Sequence, residues 1–264
     1  TARLYGAVAE QFTHFGTVQI DGREVGNPTD QHLDSSITQL VGGYTVSRWL
    51  AVQTNVPVIY RSFVRPEGFA IDRGTASGLG DVSLLAKVVL WHLTAGGGRA
   101  VKVDDPKSPR MEEREPDLTF SGVFISGVKL PTGDSSRIKE GFNEIEIEGA
   151  PESGIHGHDL TLGTGSYDGI VGGQLALRYK DFFFEGGLQF TLPGVGLHLY
   201  HFSNDLPLSG RPGYYFIRNR HAVLGVQAVI SGEYKDVDRF RGDTAADTGI
   251  TSVFAGPRVV ASLG

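Results

Sequence analysis

From Phe182 to Leu192 apolar and polar positions alternate almost without a break. Phe182, Phe184, Gly186, Leu188, Phe190 and Leu192 fall on one side of an extended chain, and Glu185, Gly187, Gln189 and Thr191 on the other, with Phe183 as the exception. A period of two belongs to a strand with unlike faces. The same two-sidedness recurs in Leu50 to Arg61, where Val52, Val56, Val58 and Tyr60 oppose Gln53, Asn55 and Arg61. It recurs in Asp81 to Trp91, where Val82, Leu84, Val88 and Leu90 oppose Asp81, Ser83, Leu85, Lys87, Val89 and Trp91. Val171 to Lys180 and Ala222 to Ser231 repeat it, with Arg178 and Gln227 on the polar sides. Less regular strands fit Leu4 to Phe15, Leu33 to Val46, Leu118 to Leu130, Gly210 to Arg218 and Thr251 to Leu263. The pattern therefore predicts an all-β chain of ten strands in one domain spanning residues 1–264.

The predicted connections alternate in length. Ser47-Arg48-Trp49, Lys180-Asp181 and Asn219-Arg220 are tight turns, with Asn219 suited to positive φ. Longer joins rich in Gly, Pro, Asp and Ser cover Gly16 to His32, Arg65 to Leu79, Pro131 to His158, Pro193 to Ser209 and Asp236 to Thr248. One long join, Thr94 to Pro116, breaks the alternation as a charged, solvated flap at the short-turn end. Short turns at one end, long loops at the other and one apolar face per strand describe an antiparallel up-and-down transmembrane β-barrel. The strand lengths suit a tilted bilayer crossing of about 9 to 11 residues. Such a sheet is expected to close, because unpaired edge groups in hydrocarbon cost several kcal/mol each. A soluble antiparallel barrel is the competing fold, and it would place the oily face inward and the polar face outward.

Composition narrows the function. The 37 glycines suit tightly curved strands. A net charge of −6 gives no electrostatic case for nucleic acid, whose binding rests on Lys and Arg neutralising phosphates. The absence of cysteine removes disulfide frameworks, thiolate metal sites and Cys nucleophiles. No apolar run is long enough for a spanning helix. The chain opens Thr1-Ala2-Arg3-Leu4-Tyr5 without the regions of a secretory signal, which fits either a cytosolic protein or one whose signal has been removed.

Four segments carry a family resemblance: GLGDVSLLAKVVL (78–90), SGVKLPTGD (126–134), LGTGSYDGIVGGQLALRY (162–179) and SGEYKDVDR (231–239). In this order and spacing they resemble the outer-membrane β-barrel family associated with aromatic-compound degradation, the MetA pathway of phenol degradation. The resemblance implies a porin or transporter integral to the outer membrane of a Gram-negative bacterium, passing apolar or aromatic solutes. Members carry about two further strands and an aromatic C-terminal residue. Ser262-Leu263-Gly264 supplies neither, so ten to twelve strands are expected in a complete barrel, of which this chain would be a piece.

Residues opposite the oily face are the candidate lumen lining, as pore wall or as plug: Gln53, Asn55, Arg61, Asp81, Lys87, Lys129, Arg178, Glu185, Gln189 and Gln227. Their mixed signs suggest charges paired across the interior, with no strong ion selectivity. Elsewhere, His156-Gly157-His158-Asp159 would put two imidazoles on one face if extended, but two ligands are not a metal site, and solvated surface histidines are favoured. Glu144, Glu146 and Glu148 read as the acidic face of a hairpin arm. Asp236, Asp238, Asp243 and Asp247 lack the pattern of a calcium loop. Gly163-Thr164-Gly165 precedes a strand instead of a helix, so it is not a phosphate cradle. Ser83 or Ser121 with His92 could be drawn as a nucleophile and base, but nothing in the spacing selects them. The expected function is passive passage of a small solute, without enzymatic activity, cofactor or metal. Its partners would be the lipid bilayer, lipopolysaccharide and the solute. The alternative is a closed barrel that seats a secreted or periplasmic protein at its long loops.

Overall fold

A computed structural model of the chain describes residues 3–20, 23–96, 116–140, 147–219, 222–245 and 248–263. The flap residues 97–115, Glu144, Glu146 and Asp247 lie outside them. The principal strands are β1 (Leu4–Phe15), β2 (His32–Thr45), β3 (Leu50–Glu67), β4 (Ala70–Leu79), β5 (Val82–Ala95), β6 (Leu118–Leu130), β7 (Asp168–Tyr179), β8 (Phe182–Leu192), β9 (Asp205–Arg218), β10 (Ala222–Lys235) and β11 (Ile250–Leu263). All but β4 form one antiparallel meander, β1-β2-β3-β5-β6-β7-β8-β9-β10-β11, curled into a half-barrel of ten strands. Among the described residues β1 and β11 each pair on one side only, so the expected closure is not made there.

The strand beyond the expected ten, β4, corrects the reading of Arg65 to Leu79 as a loop. β3 runs on to Glu67, turns at Gly68 (φ 59°) and returns as β4, with Glu67 opposite Ala70 and Val58 opposite Leu79. Small and polar residues such as Gly74, Thr75 and Ser77 hide this hairpin from an apolar-periodicity argument. The lower part of β3, Leu50 to Asn55, pairs instead with β5. The wall therefore steps from β4 to β5 across Gly80 and Asp81. Thr132 closes that step, its hydroxyl donating to Gly80 O at 2.8 Å and accepting from the Val82 N–H at 2.9 Å.

The two faces are as unlike as the alternation requires. One carries exposed Val52, Tyr60, Leu84, Leu188 and Ile230. The other carries Ile59, Phe63, Arg65, Leu85, Ile125, Phe183 and Gln227, all buried. Residues 131–140 and 147–167, with other long loops, fold over this second face, which is therefore the inner one. It is not uniformly polar: Leu85, Ile125 and Ile170 pack together with Val123, and Phe63 packs with Ile155, Leu160 and Leu33.

Trp91 is a further correction. A register shift between Val89 and Trp91 puts Trp91 opposite Gly122, and its indole occupies the space a Gly122 side chain would need. One inserted residue reverses which face the following residues take. Trp91 therefore joins Phe120, with ring centroids 6.0 Å apart, on the apolar face. At the short-turn end the positive φ falls on Lys180 (54°). Asn219 acts through its side chain, Oδ1 accepting from the Ala222 N–H at 3.0 Å.

Candidate functional site

Three of the four motif segments meet in one junction at the long-loop end. Asp81 sits at the step between β4 and β5, where one carboxylate oxygen accepts from the Gly133 N–H at 3.0 Å. Its other oxygen accepts from the Thr164 N–H at 2.8 Å and lies 3.0 Å from the Thr164 hydroxyl. Asp168, at the start of β7, is fully buried. It accepts from Ser166 Oγ at 2.5 Å and the Gly194 N–H at 3.2 Å, and it too lies 3.0 Å from Thr164 Oγ1. Lys129 of β6 lies between the acids, its Nζ 2.7 Å from Asp168 and 3.8 Å from Asp81. Buried carboxylates persist only when paired and hydrogen-bonded, and both conditions hold here.

The junction depends on two glycines. A β-carbon on Gly133 would lie 2.5 Å from Leu162 O, and one on Gly163 would lie 2.3 Å from Asp81 Oδ1 and 2.9 Å from the Gly133 α-carbon. The chain leaving β6 and the chain entering β7 thus cross backbone to backbone. The crossing turns the intervening segment inward over the half-barrel instead of out into solvent.

Two arginines on β3 hold that segment against the wall. Arg61 donates to Asp159 O at 2.6 Å and Thr161 O at 2.5 Å. Arg65 is ion-paired to Asp72 and Glu140, each at 3.1 Å. Gln31 completes the attachment from the β1–β2 loop, donating to Glu152 O at 3.1 Å and accepting from the Gly154 N–H at 2.8 Å.

A second cluster joins three loops. Asp238 is fully buried and accepts from the Tyr200 hydroxyl at 2.8 Å, the Ser203 N–H at 2.8 Å and Lys235 Nζ at 2.8 Å. The fourth motif segment supplies Lys235 and Asp238. His158 stacks on Tyr200 at 6.5 Å and on His156 at 5.6 Å between ring centroids. Gly157–Leu160 forms a 3-10 turn and both imidazoles are half-buried and stacked, so they do not share the face of an extended strand and are not the fully solvated histidines expected. Burial lowers the proton affinity of His158, opposed by Asp159. Burial and the Asp238 carboxylate push the Tyr200 phenol well above its ordinary value. Among the described residues no three potential ligands converge as a metal site.

The other candidate lining residues fall into local groups. Gln53 donates to Asn55 at 2.6 Å and accepts from the Tyr5 hydroxyl at 3.2 Å. Arg178 donates to Thr119 Oγ1 at 3.1 Å and Pro116 O at 3.2 Å. Gln227 Nε2 lies 3.4 Å from Glu185. Gln189 stands opposite Gly172. Lys87 stands opposite Ala51 and Ile125. Among the described residues Glu185 pairs with neighbours on its own wall, Arg211 and Arg258, and not across the interior. His92 lies opposite Ser121 in register, whereas Ser83 faces Lys129. The residues that sequence reasoning does not place in the site are Arg65, Thr164, Ser166, Asp168, Tyr200, Arg211, Lys235, Asp238 and Arg258, of which Thr164 and Asp238 are weighed there only for phosphate and calcium. Five of these lie in the motif segments, the signal that could have found them.

No protein-family model matches the chain, and no curated protein matches it either. A solved structure does: an outer membrane channel from Pseudomonas putida F1 superposes over 98% of this chain and 81% of that one, with a TM-score of 0.56 and 12% sequence identity. At that identity the likeness is one of fold.

Proposed function

We propose that the chain forms an integral outer-membrane channel through which small solutes pass passively, its inner face lining the lumen and the inward-folded residues 131–140 and 147–167 narrowing the mouth. The observation that carries this reading is the pairing of an exposed apolar face with an inner face rich in hydrogen-bonded charge. Lipid is the solvent that such an outer face suits, and because a spanning sheet must satisfy every backbone group, the edges of β1 and β11 that are unpaired among the described residues are to be closed in the channel. The fold likeness to an outer membrane channel supports it. The resemblance in the four motif segments adds aromatic or apolar solutes to the solutes considered.

The test is single-channel recording in planar bilayers. Wide aqueous channels belong to barrels of about sixteen strands, so small conductance steps are expected. A variant with residues 136–160 replaced by a short Gly-Ser linker should conduct more. Wild-type protein that inserts but passes no current, with no gain in the linker variant, would overturn the channel reading.

A further inference from the structure

The inward residues 147–160 are tethered to two parts of the wall. Gln31, Arg61 and Arg65 hold them to the β1–β2 loop and to β3, Arg61 through the carbonyls of Asp159 and Thr161 and Arg65 through that of Ile155. The second tether is a stack of rings. His158, in the 3-10 turn Gly157–Leu160, lies 5.6 Å from His156 and 6.5 Å from Tyr200 between centroids, with interplanar angles of 13° and 18°. Tyr200 belongs to the loop after β8 and donates its hydroxyl to Asp238 of the loop after β10, which also pairs with Lys235. The stack therefore ties the inward residues to two further loops.

Stacked imidazoles are stable together only while neutral. Two imidazolium ions face to face repel as like charges do at close range, and Lys235 is a third cation near them. The titratable groups facing His158 are His156 and Asp159 from its own turn, Tyr200 from the loop after β8, and Lys235 and Asp238 from β10 and the loop after it. Arg61 reaches the same turn from β3. The two acids oppose the repulsion, but both are already engaged. Asp238 accepts from the Tyr200 hydroxyl, the Ser203 N–H and Lys235. Asp159 accepts from the His156 N–H at 2.9 Å through one oxygen, and its other oxygen lies 3.4 Å from His158 Nε2. Leu160 of the same turn is fully buried with Phe63 and Ile155, so charged imidazoles gain full hydration only when the turn lifts.

We propose that the His156–His158–Tyr200 stack is an acid-sensitive latch: while its imidazoles are neutral it holds residues 147–160 across the mouth, and in mild acid they charge, part and let those residues swing back towards β3. The inference rests on the channel reading and adds its regulation. Histidine is the side chain whose charge changes in this range, and a packed contact between loops is the kind of element that such a change tips. Arg61 and Arg65 keep their charge at those pH values. The tether to β3 therefore stays made while the stack opens, and the movement is a hinged widening of the mouth.

Single-channel recording of the purified chain in planar bilayers at pH 7.5 and at pH 5 tests the latch. The time-averaged conductance is expected to rise several-fold at the lower pH and to fall again when neutral buffer is restored. His158→Phe keeps a ring in the stack without a proton to gain, and should lose the response. His158→Gln lacks both ring and charge, and should conduct alike at the two pH values. Any response left in these variants measures other groups that titrate, such as Asp205 and Glu233. A wild-type conductance that does not rise in acid, or a rise that His158→Phe and His158→Gln both retain in full, would overturn the latch while the channel reading stands. Absence of conductance at both pH values, in the wild type and in the variant with residues 136–160 replaced by a linker, would overturn the channel reading and the latch together.

Discussion

Lys129 Nζ lies 2.7 Å from the carboxylate of Asp168, a residue with no exposed surface. β6 and β7 are neighbours throughout their length, with Lys129 opposite Asp168 at the last rung of their ladder. The pair therefore marks the point where regular sheet ends and the inward segment begins. Asp81 and Thr164 converge on the same point.

Removing the cation should be costly. Lys129→Met leaves two carboxylates at a buried site, and breaking such a pair costs about 3 to 5 kcal/mol. Urea unfolding in lipid vesicles is the measurement. Lys129→Met with Asp168→Asn should recover part of that loss, and equal destabilisation by the single and double variants would show that the pair is not coupled.

The glycine crossing gives a second expectation. Gly133→Ala places its β-carbon against the carbonyl of Leu162, and the backbone must shift at a cost of about 1 to 3 kcal/mol. Gly42→Ala meets nothing within 4 Å and should be close to neutral. Limited proteolysis reads the same contrast locally: Gly133→Ala should be cut faster within 136–160.

The outer face can be tested with one residue and its neighbour. Leu188 is 55% exposed on the apolar side, and Gln189 points to the other. Leu188→Arg should destabilise by about 2 to 4 kcal/mol near the bilayer midplane. Gln189→Arg should cost less. Equal penalties in a folding titration would reverse or abolish the assigned orientation.

The His158 stack should loosen in acid. Burial holds its folded pKa below the unfolded value of about 6.5. Below that pH the unfolded loop takes up a proton that the folded loop refuses, so the contribution is full above the unfolded pKa and falls as pH drops towards the folded one. His156, Asp159, Tyr200, Lys235 and Asp238 are the titratable groups around it. Hydrogen exchange of residues 155–162 should speed up between neutral and mildly acidic pH, and His158→Phe should flatten that dependence.

The strands were largely legible because a period of two is a local property. Each residue from Phe182 to Leu192 takes its face from its neighbours alone, and the meander follows once the turns are short. Locality also explains the failures. The extra residue between Val89 and Trp91 reverses a face through pairing with β6, and β4 lacks the apolar alternation that would announce it. The crossing of Gly133 over Gly163 joins positions 30 residues apart, and the Asp81 to Thr164 hydrogen bonds join positions 83 apart. The motif segments display these residues without saying that they touch. Which carboxylate each cation meets is likewise a matter of strand neighbours: Arg178 and Glu185 look like partners in sequence, yet the register delivers Arg211 and Arg258 to Glu185. Alternation along one chain determines the two faces, and the pairing of different chain segments decides where charge is neutralised.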